Sequence, residues 1–123
     1  MAGKRILLVE DEPNIVESLR FILEQAGFEV DVISDGNAAL ASVIADRPDA
    51  VVLDIMLPGM NGFDVLRAVR GDTKLASLPV IVLTAKGQPN DRKMAETIGA
   101  TAFITKPFSN AEVIECVRSH AGS

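Results

Sequence analysis

The chain has 123 residues, 48% of them hydrophobic and 24% charged, a size and balance that give one globular domain, residues 1–123, with no room for a second. Seventeen acidic and twelve basic side chains leave a net charge of -5 without any run of Lys or Arg, which argues against a nucleic-acid surface. The apolar runs are only strand-sized, the amino terminus lacks a signal-peptide pattern, and the single Cys116 cannot form an internal disulfide, so a soluble cytoplasmic protein is expected.

The stretch "KRILLVE" opens on charge and runs into continuous aliphatics, as a central parallel strand does, before breaking at Glu10, Asp11, Glu12 and Pro13. Ile15, Leu19, Ile22 and Ala26 then follow at helical spacing, widened by Val16 and Leu23, with Pro13 and Gly27 as punctuation. "FEVDVI" is a second strand, and the segment from Asn37 to Asp46 is a helix whose apolar positions are Leu40, Val43 and Ile44. "DAVVLD" is a third strand, stopped by the loop cluster Pro58, Gly59, Asn61 and Gly62, and Phe63, Leu66 and Val69 give the next helix its buried face. "LPVIVLTA" is strand four. The helix after Pro89 rests on Met94 and Ile98 and is the loosest element, "TAFIT" is a short fifth strand, and Ser109 with Glu112 forms a capping box ahead of Val113, Ile114 and Val117.

Strands alternating with helices imply a parallel sheet covered on both faces, with right-handed crossovers. Every strand-to-helix loop then opens on one edge, and Glu10, Asp11, Asp54, Thr84 and Lys106 meet there. Asp54 is the anomaly that draws attention first, because it ends a run of buried aliphatics and bears a desolvation cost that something must offset. Three carboxylates at one edge repel each other. A hard divalent cation is the simplest remedy, and Mg2+ accepts one or two carboxylates together with a phosphoryl oxygen. Three acids balanced by Mg2+ and the Lys106 ammonium make a formally neutral pocket, and phosphoryl transfer asks mainly for that neutralisation and for positioning. Asp54, at the centre of the edge, is the natural nucleophile and would form an acyl phosphate.

The motifs "LLVEDEP", "VVLDIMLPGMNG", "VIVLTA" and "FITKPF" stand in the order and at the spacing of a response-regulator receiver domain of two-component signalling, which the chain resembles over nearly its whole length. The resemblance, to chemotaxis-regulator-like receivers, implies an α/β, flavodoxin-like, doubly wound five-stranded parallel sheet in the order 2-1-3-4-5, with five helices on both faces. It implies that Glu10, Asp11, Asp54 and the backbone carbonyl of Met56 hold Mg2+, that Asp54 accepts the phosphoryl group, and that Thr84 and Lys106 bind its oxygens. It also implies a cis peptide at Lys106–Pro107, a switch formed by Thr84 and Phe103, and lifetime tuning by Met56 and Lys86. Neither of those two tuning residues can orient a water, so slow self-dephosphorylation is expected. The implied partners are a sensor histidine kinase or histidine phosphotransferase and a downstream protein target or output domain, with no membrane. The domain would be monomeric, with a phosphorylation-dependent dimer as an alternative, and a stand-alone receiver and a piece of a longer regulator both stay open.

Singly, these residues have plainer readings. Glu10 or Asp11 would cap a helix, Thr84 would serve a turn, Lys106 would be solvated and Phe103 would pack in the core; the joint pattern favours the site. Cys116 reads as a packed thiol and His120 as an exposed imidazole. Two rivals remain. An aspartyl phosphatase resembles "DxD", but Met56 occupies the position of its second Asp. A degenerate receiver acting as a phosphorylation-independent binding module is disfavoured by the five chemically competent positions.

Overall fold

The computed structural model describes residues 3–57, 60–85 and 89–121. The expected Pro58, Gly59 and Lys86 roles, and the last two residues of "RSHAGS", lie outside them. Elements alternate as β1 Arg5–Val9, α1 Pro13–Gln25, β2 Glu29–Ile33, α2 Gly36–Ala45, β3 Ala50–Asp54, α3 Gly62–Gly71, β4 Val80–Ala85, α4 Pro89–Ile98, β5 Ala102–Lys106 and α5 Asn110–Ala121. The five strands form one sheet in the order β2-β1-β3-β4-β5, every pair parallel. The flavodoxin-like arrangement is thus as expected, and the Lys106–Pro107 peptide is cis.

The sheet separates two cores by residue parity, because successive side chains of a strand point to opposite faces. Leu7, Val9, Val51, Leu53, Val80 and Val82 join the core that includes residues of α2, α3 and α4, whereas Ile6, Leu8, Val52, Ile81, Leu83 and Ile104 join the one with residues of α1 and α5. This double coverage is why β1, β3 and β4 read as unbroken aliphatic runs rather than alternating ones.

Helix ends follow the sequence with adjustments. The acid that caps α1 is Glu12, whose carboxylate accepts the Ile15 N–H at 3.1 Å, and not Glu10 or Asp11. Gly27 closes the same helix at φ 98°, a left-handed conformation that favours glycine. Ser109 and Glu112 form the expected box, Glu112 N–H donating to Ser109 Oγ at 3.1 Å and Ser109 N–H to Glu112 Oε1 at 3.3 Å.

Two helix faces differ from expectation. Helix α2 starts at Gly36 and buries Gly36, Ala39 and Val43, while Ile44 is 62% exposed. Helix α4 buries Ala95, with Met94 47% exposed. In both, an alanine takes the central inward position and the larger side chain falls on the flank; apolar size marked the stripe but not its centre. Ala95 is the one buried residue of α4, and Ile98 packs partly against the core. Cys116 packs partly into the α1/α5-side core, where burial pushes its thiol pKa up, as befits an inert thiol.

Candidate active site

The carboxyl ends of β1, β3 and β5 carry Glu10, Asp54 and Lys106 at positions of like parity, so the three side chains project to the α1/α5 side of the sheet and meet. The Lys106 ammonium lies 3.4 Å from Glu10 Oε1 and 3.4 Å from Asp54 Oδ2. One carboxylate oxygen each from Glu10, Asp11 and Asp54 all fall within 4.8 Å of one another. Glu10 is wholly buried, Asp54 buried and Asp11 exposed, which grades the cluster from interior to solvent.

Local backbone holds the two buried acids. Met56 N–H donates to Asp54 Oδ1 at 3.0 Å, and Asp11 N–H to Glu10 Oε2 at 3.1 Å. Gly62 keeps the turn after β3 tight: its N–H bonds the Ile55 carbonyl at 2.9 Å, and a Cβ on Gly62 would stand 2.5 Å from Ile55 Cα and 2.6 Å from the Asp54 carbonyl oxygen. The Met56 side chain stands 76% exposed and brings no acid to the site.

The electrostatics are unbalanced. Burial first, then the hydrogen bond and charge of Asp54, push the Glu10 carboxyl pKa up to about 8, against the opposing pull of Lys106. The metal-free site thus opposes ionisation of Glu10 beside Asp54. Three converging hard oxygen donors, one of them resisting ionisation, with a single ammonium beside them, are chemically suited to a small divalent cation.

Beside this cluster opens a cleft of about 180 Å³, whose walls include Asp54, Met56, Thr84, Lys106 and Asp91. Asp54 belongs to both the acid cluster and the cleft, the arrangement expected of an acceptor next to a cation. Thr84 has the opposite parity from Asp54 and shares the α4-side face with Phe103. Phe103 is half-buried, and the Arg92 guanidinium of α4 sits over its ring at 4.7 Å from the centroid. Asp91 was not singled out from the sequence. Its signal was position, since the first turn of a helix following a strand opens on the same edge. His120 is exposed, and with Cys116 lines a separate groove beside β5, where no group of three metal donors forms among the described residues.

Comparison with known proteins gives the family. The family model for the response regulator receiver domain matches residues 6–118. The chain is 43% identical over 116 residues to the DNA-binding response regulator MtrA of Mycolicibacterium smegmatis, covering 94% of this chain and 50% of that protein. It is 41% identical over 114 residues to the sensory transduction protein RegX3 of Mycobacterium bovis, covering 93% and 49%. The chain thus spans about half the length of these curated relatives. Among solved structures, it superimposes with a TM-score of 0.91 on the receiver domain of the sensor histidine kinase PA1611 from Pseudomonas aeruginosa, at 33% identity over 99% of this chain and all of that one; that structure has a magnesium ion coordinated in its active-site cleft. The chemotaxis response regulator CheY4 of Vibrio cholerae follows at a TM-score of 0.88 and 29% identity, covering 95% of this chain and 98% of that one. No described helix is long and apolar enough to cross a membrane. The chain belongs to the response regulator receiver family and is a receiver domain of two-component signalling.

Proposed function

We propose that this receiver, a single unit over residues 1–123, takes a phosphoryl group onto Asp54 from a phosphohistidine of a sensor kinase or histidine phosphotransferase. The observation that carries the reading is Asp54 itself: a buried carboxylate at the meeting point of an acid cluster, an ammonium 3.4 Å away and an open cleft. In the transfer, an Asp54 oxygen attacks phosphorus, the bond from phosphorus to the imidazole nitrogen breaks, and the imidazole leaves with its electron pair and takes a proton from solvent. Lys106 faces the growing negative charge, and Thr84 offers a hydroxyl to a phosphoryl oxygen from the other side of the cleft. Glu10, Asp11, Asp54 and the Met56 carbonyl would hold Mg2+, which when bound supplies positive charge to the acids and the incoming phosphoryl oxygens.

The switch reading rests on shared parity. Thr84 and Phe103 face the side on which α4 lies, and α4 is seated by little more than Ala95, Ile98 and the Arg92–Phe103 stack. Drawing Thr84 toward the phosphoryl group leaves space that Phe103 fills, which alters the α4–β5–α5 surface read by a downstream protein or output domain. The domain works in the cytoplasm as a monomer that can dimerise when phosphorylated, without direct nucleic-acid contact of its own. Thr84→Ala should still be phosphorylated yet respond weakly; undiminished phosphorylation-dependent partner affinity in that variant would count against the coupling.

Incubation with a phosphorylated histidine phosphotransferase tests the donor class. Label should leave the donor and appear on the parent chain and not on Asp54→Asn. Retention on the donor, with both proteins folded, would favour the binding-module reading.

A further inference from the structure

Gly36 is buried at the first position of α2, twenty or more residues from most of the site in sequence, and its backbone does not need a glycine: its φ is not positive. What it provides is room. A Cβ placed on Gly36 would fall 1.7 Å from the carbonyl oxygen of Met60, 2.7 Å from that carbonyl carbon and 3.1 Å from Met60 Cβ, whereas real Cβ atoms essentially never come within 3.0 Å of another heavy atom. The obstacle is backbone, which a side-chain rotation cannot clear.

One of the two segments would have to move, and among the described residues α2 is the better anchored. The Asp35 carboxylate accepts N–H groups of Asn37 and Ala38, Ala39 and Val43 are buried in the core, and the Ile33 carbonyl accepts Glu10 N–H at 3.1 Å. Met60 instead belongs to the turn between β3 and α3. It leads directly into Asn61, which caps α3, and Gly62, whose N–H rests on the Ile55 carbonyl at 2.9 Å. The turn is therefore seated against two bare glycines, Gly36 against Met60 and Gly62 against Ile55 and the Asp54 carbonyl. Between those two contacts lies Met56, whose N–H holds Asp54 Oδ1 at 3.0 Å.

We propose that Gly36 is a positioning residue for the cation site: its bare Cα seats the β3–α3 turn, and that seat sets the Met56 peptide against Asp54. A methyl group at position 36 displaces Met60, the displacement passes through Asn61 and Gly62 to Ile55 and Met56, and the acid cluster loses its alignment while the strands stay in place. The inference rests on the reading of Glu10, Asp11 and Asp54 as a Mg2+ site.

The test is a Mg2+ titration of the whole chain followed by backbone amide shifts, a readout independent of phosphorylation. Gly36→Ala should bind Mg2+ about tenfold more weakly than the parent, the low end of what removing an outer partner of a metal ligand costs. Val43→Ala, which truncates a buried residue of the same helix away from the turn, should lose thermal stability but keep the parental affinity. A folded Gly36→Ala chain with parental affinity would overturn the proposal. If Gly36→Ala does not fold, Met60→Gly decides: it leaves the carbonyl that faces Gly36 in place but gives that backbone a glycine's conformational freedom, so weakened Mg2+ binding supports the proposal and parental binding overturns it. Phosphoryl acceptance by the parent is scored separately by intact mass, so failure of the receiver reading there leaves the Mg2+ comparison standing.

Discussion

The two ends of the sheet each carry a partly buried cation, and they are built on opposite plans. Toward the amino ends of β4 and β5, Arg70 donates to the carbonyls of Gly99 at 2.7 Å and Leu78 at 2.8 Å and to Thr101 Oγ1 at 3.0 Å, and Thr101 Oγ1 in turn accepts the Val80 N–H at 3.0 Å. All of these acceptors are neutral dipoles, and the planar guanidinium matches their directions. Burial lowers the Arg70 pKa, yet a guanidinium keeps its charge in a protein. At the carboxyl ends, Lys106 faces two carboxylates with a third beside them. At one end the cation is satisfied by neutral acceptors from its own chain. The other has more negative charge than its ammonium neutralises, and that surplus is what suits it to a cation.

Arg70→Ala breaks the satisfied end and should have the largest effect on stability. It leaves the Gly99 and Leu78 carbonyls without their donor, a cost of about 1–3 kcal/mol per buried group left unpaired. A lowered midpoint in urea, with an unchanged rate of phosphoryl acceptance per folded molecule, would separate the two ends cleanly. A slower acceptance rate at full folding would show that they are coupled.

The unbalanced end gives itself away through pH. Glu10 has a folded pKa near 8, raised from its ordinary 4.5, so between those values the metal-free folded state holds a proton that the unfolded chain has released. The slope of stability with pH follows the excess of protons bound by the unfolded state, which is here negative. Stability contributed through this group is therefore full below pH 4.5 and declines as pH rises toward 8. Metal-free thermal unfolding should fall across that window in the parent, and Glu10→Gln should flatten the fall; identical pH profiles would contradict the picture. A smaller effect is kinetic. Met56→Asn with Lys86→Glu supplies groups able to orient a water and should hasten loss of the phosphoryl group, read as decay of the mass adduct, while an unchanged lifetime would remove these positions from any tuning role.

The chemical end was far more legible in the sequence than the structural one. Asp54 and Lys106 end their strands, Glu10 and Asp11 directly follow β1, and Thr84 is the last residue but one of β4, and parallel topology alone carries strand ends to one edge. Parity explains the unbroken aliphatic runs of β1, β3 and β4 for the same reason. What stayed hidden depended on contacts between segments. Arg70 meets Gly99 across 29 residues, Gly36 meets Met60, and the inward faces of α2 and α4 center on Ala39 and Ala95 rather than on Ile44 and Met94. Helical spacing fixes the width of an apolar stripe, but the neighbour that packs on it fixes its centre.

The most direct test of the account is the intact mass of the chain after incubation with acetyl phosphate, with and without Mg2+, beside Asp54→Asn. With neither Trp nor Tyr in the sequence, mass is also the cleaner readout. The account predicts one phosphoryl adduct on the parent, dependent on Mg2+ and absent from Asp54→Asn. An adduct that persists in Asp54→Asn, or a folded, Mg2+-binding parent that never acquires one from this donor or from a phosphohistidine, would contradict it.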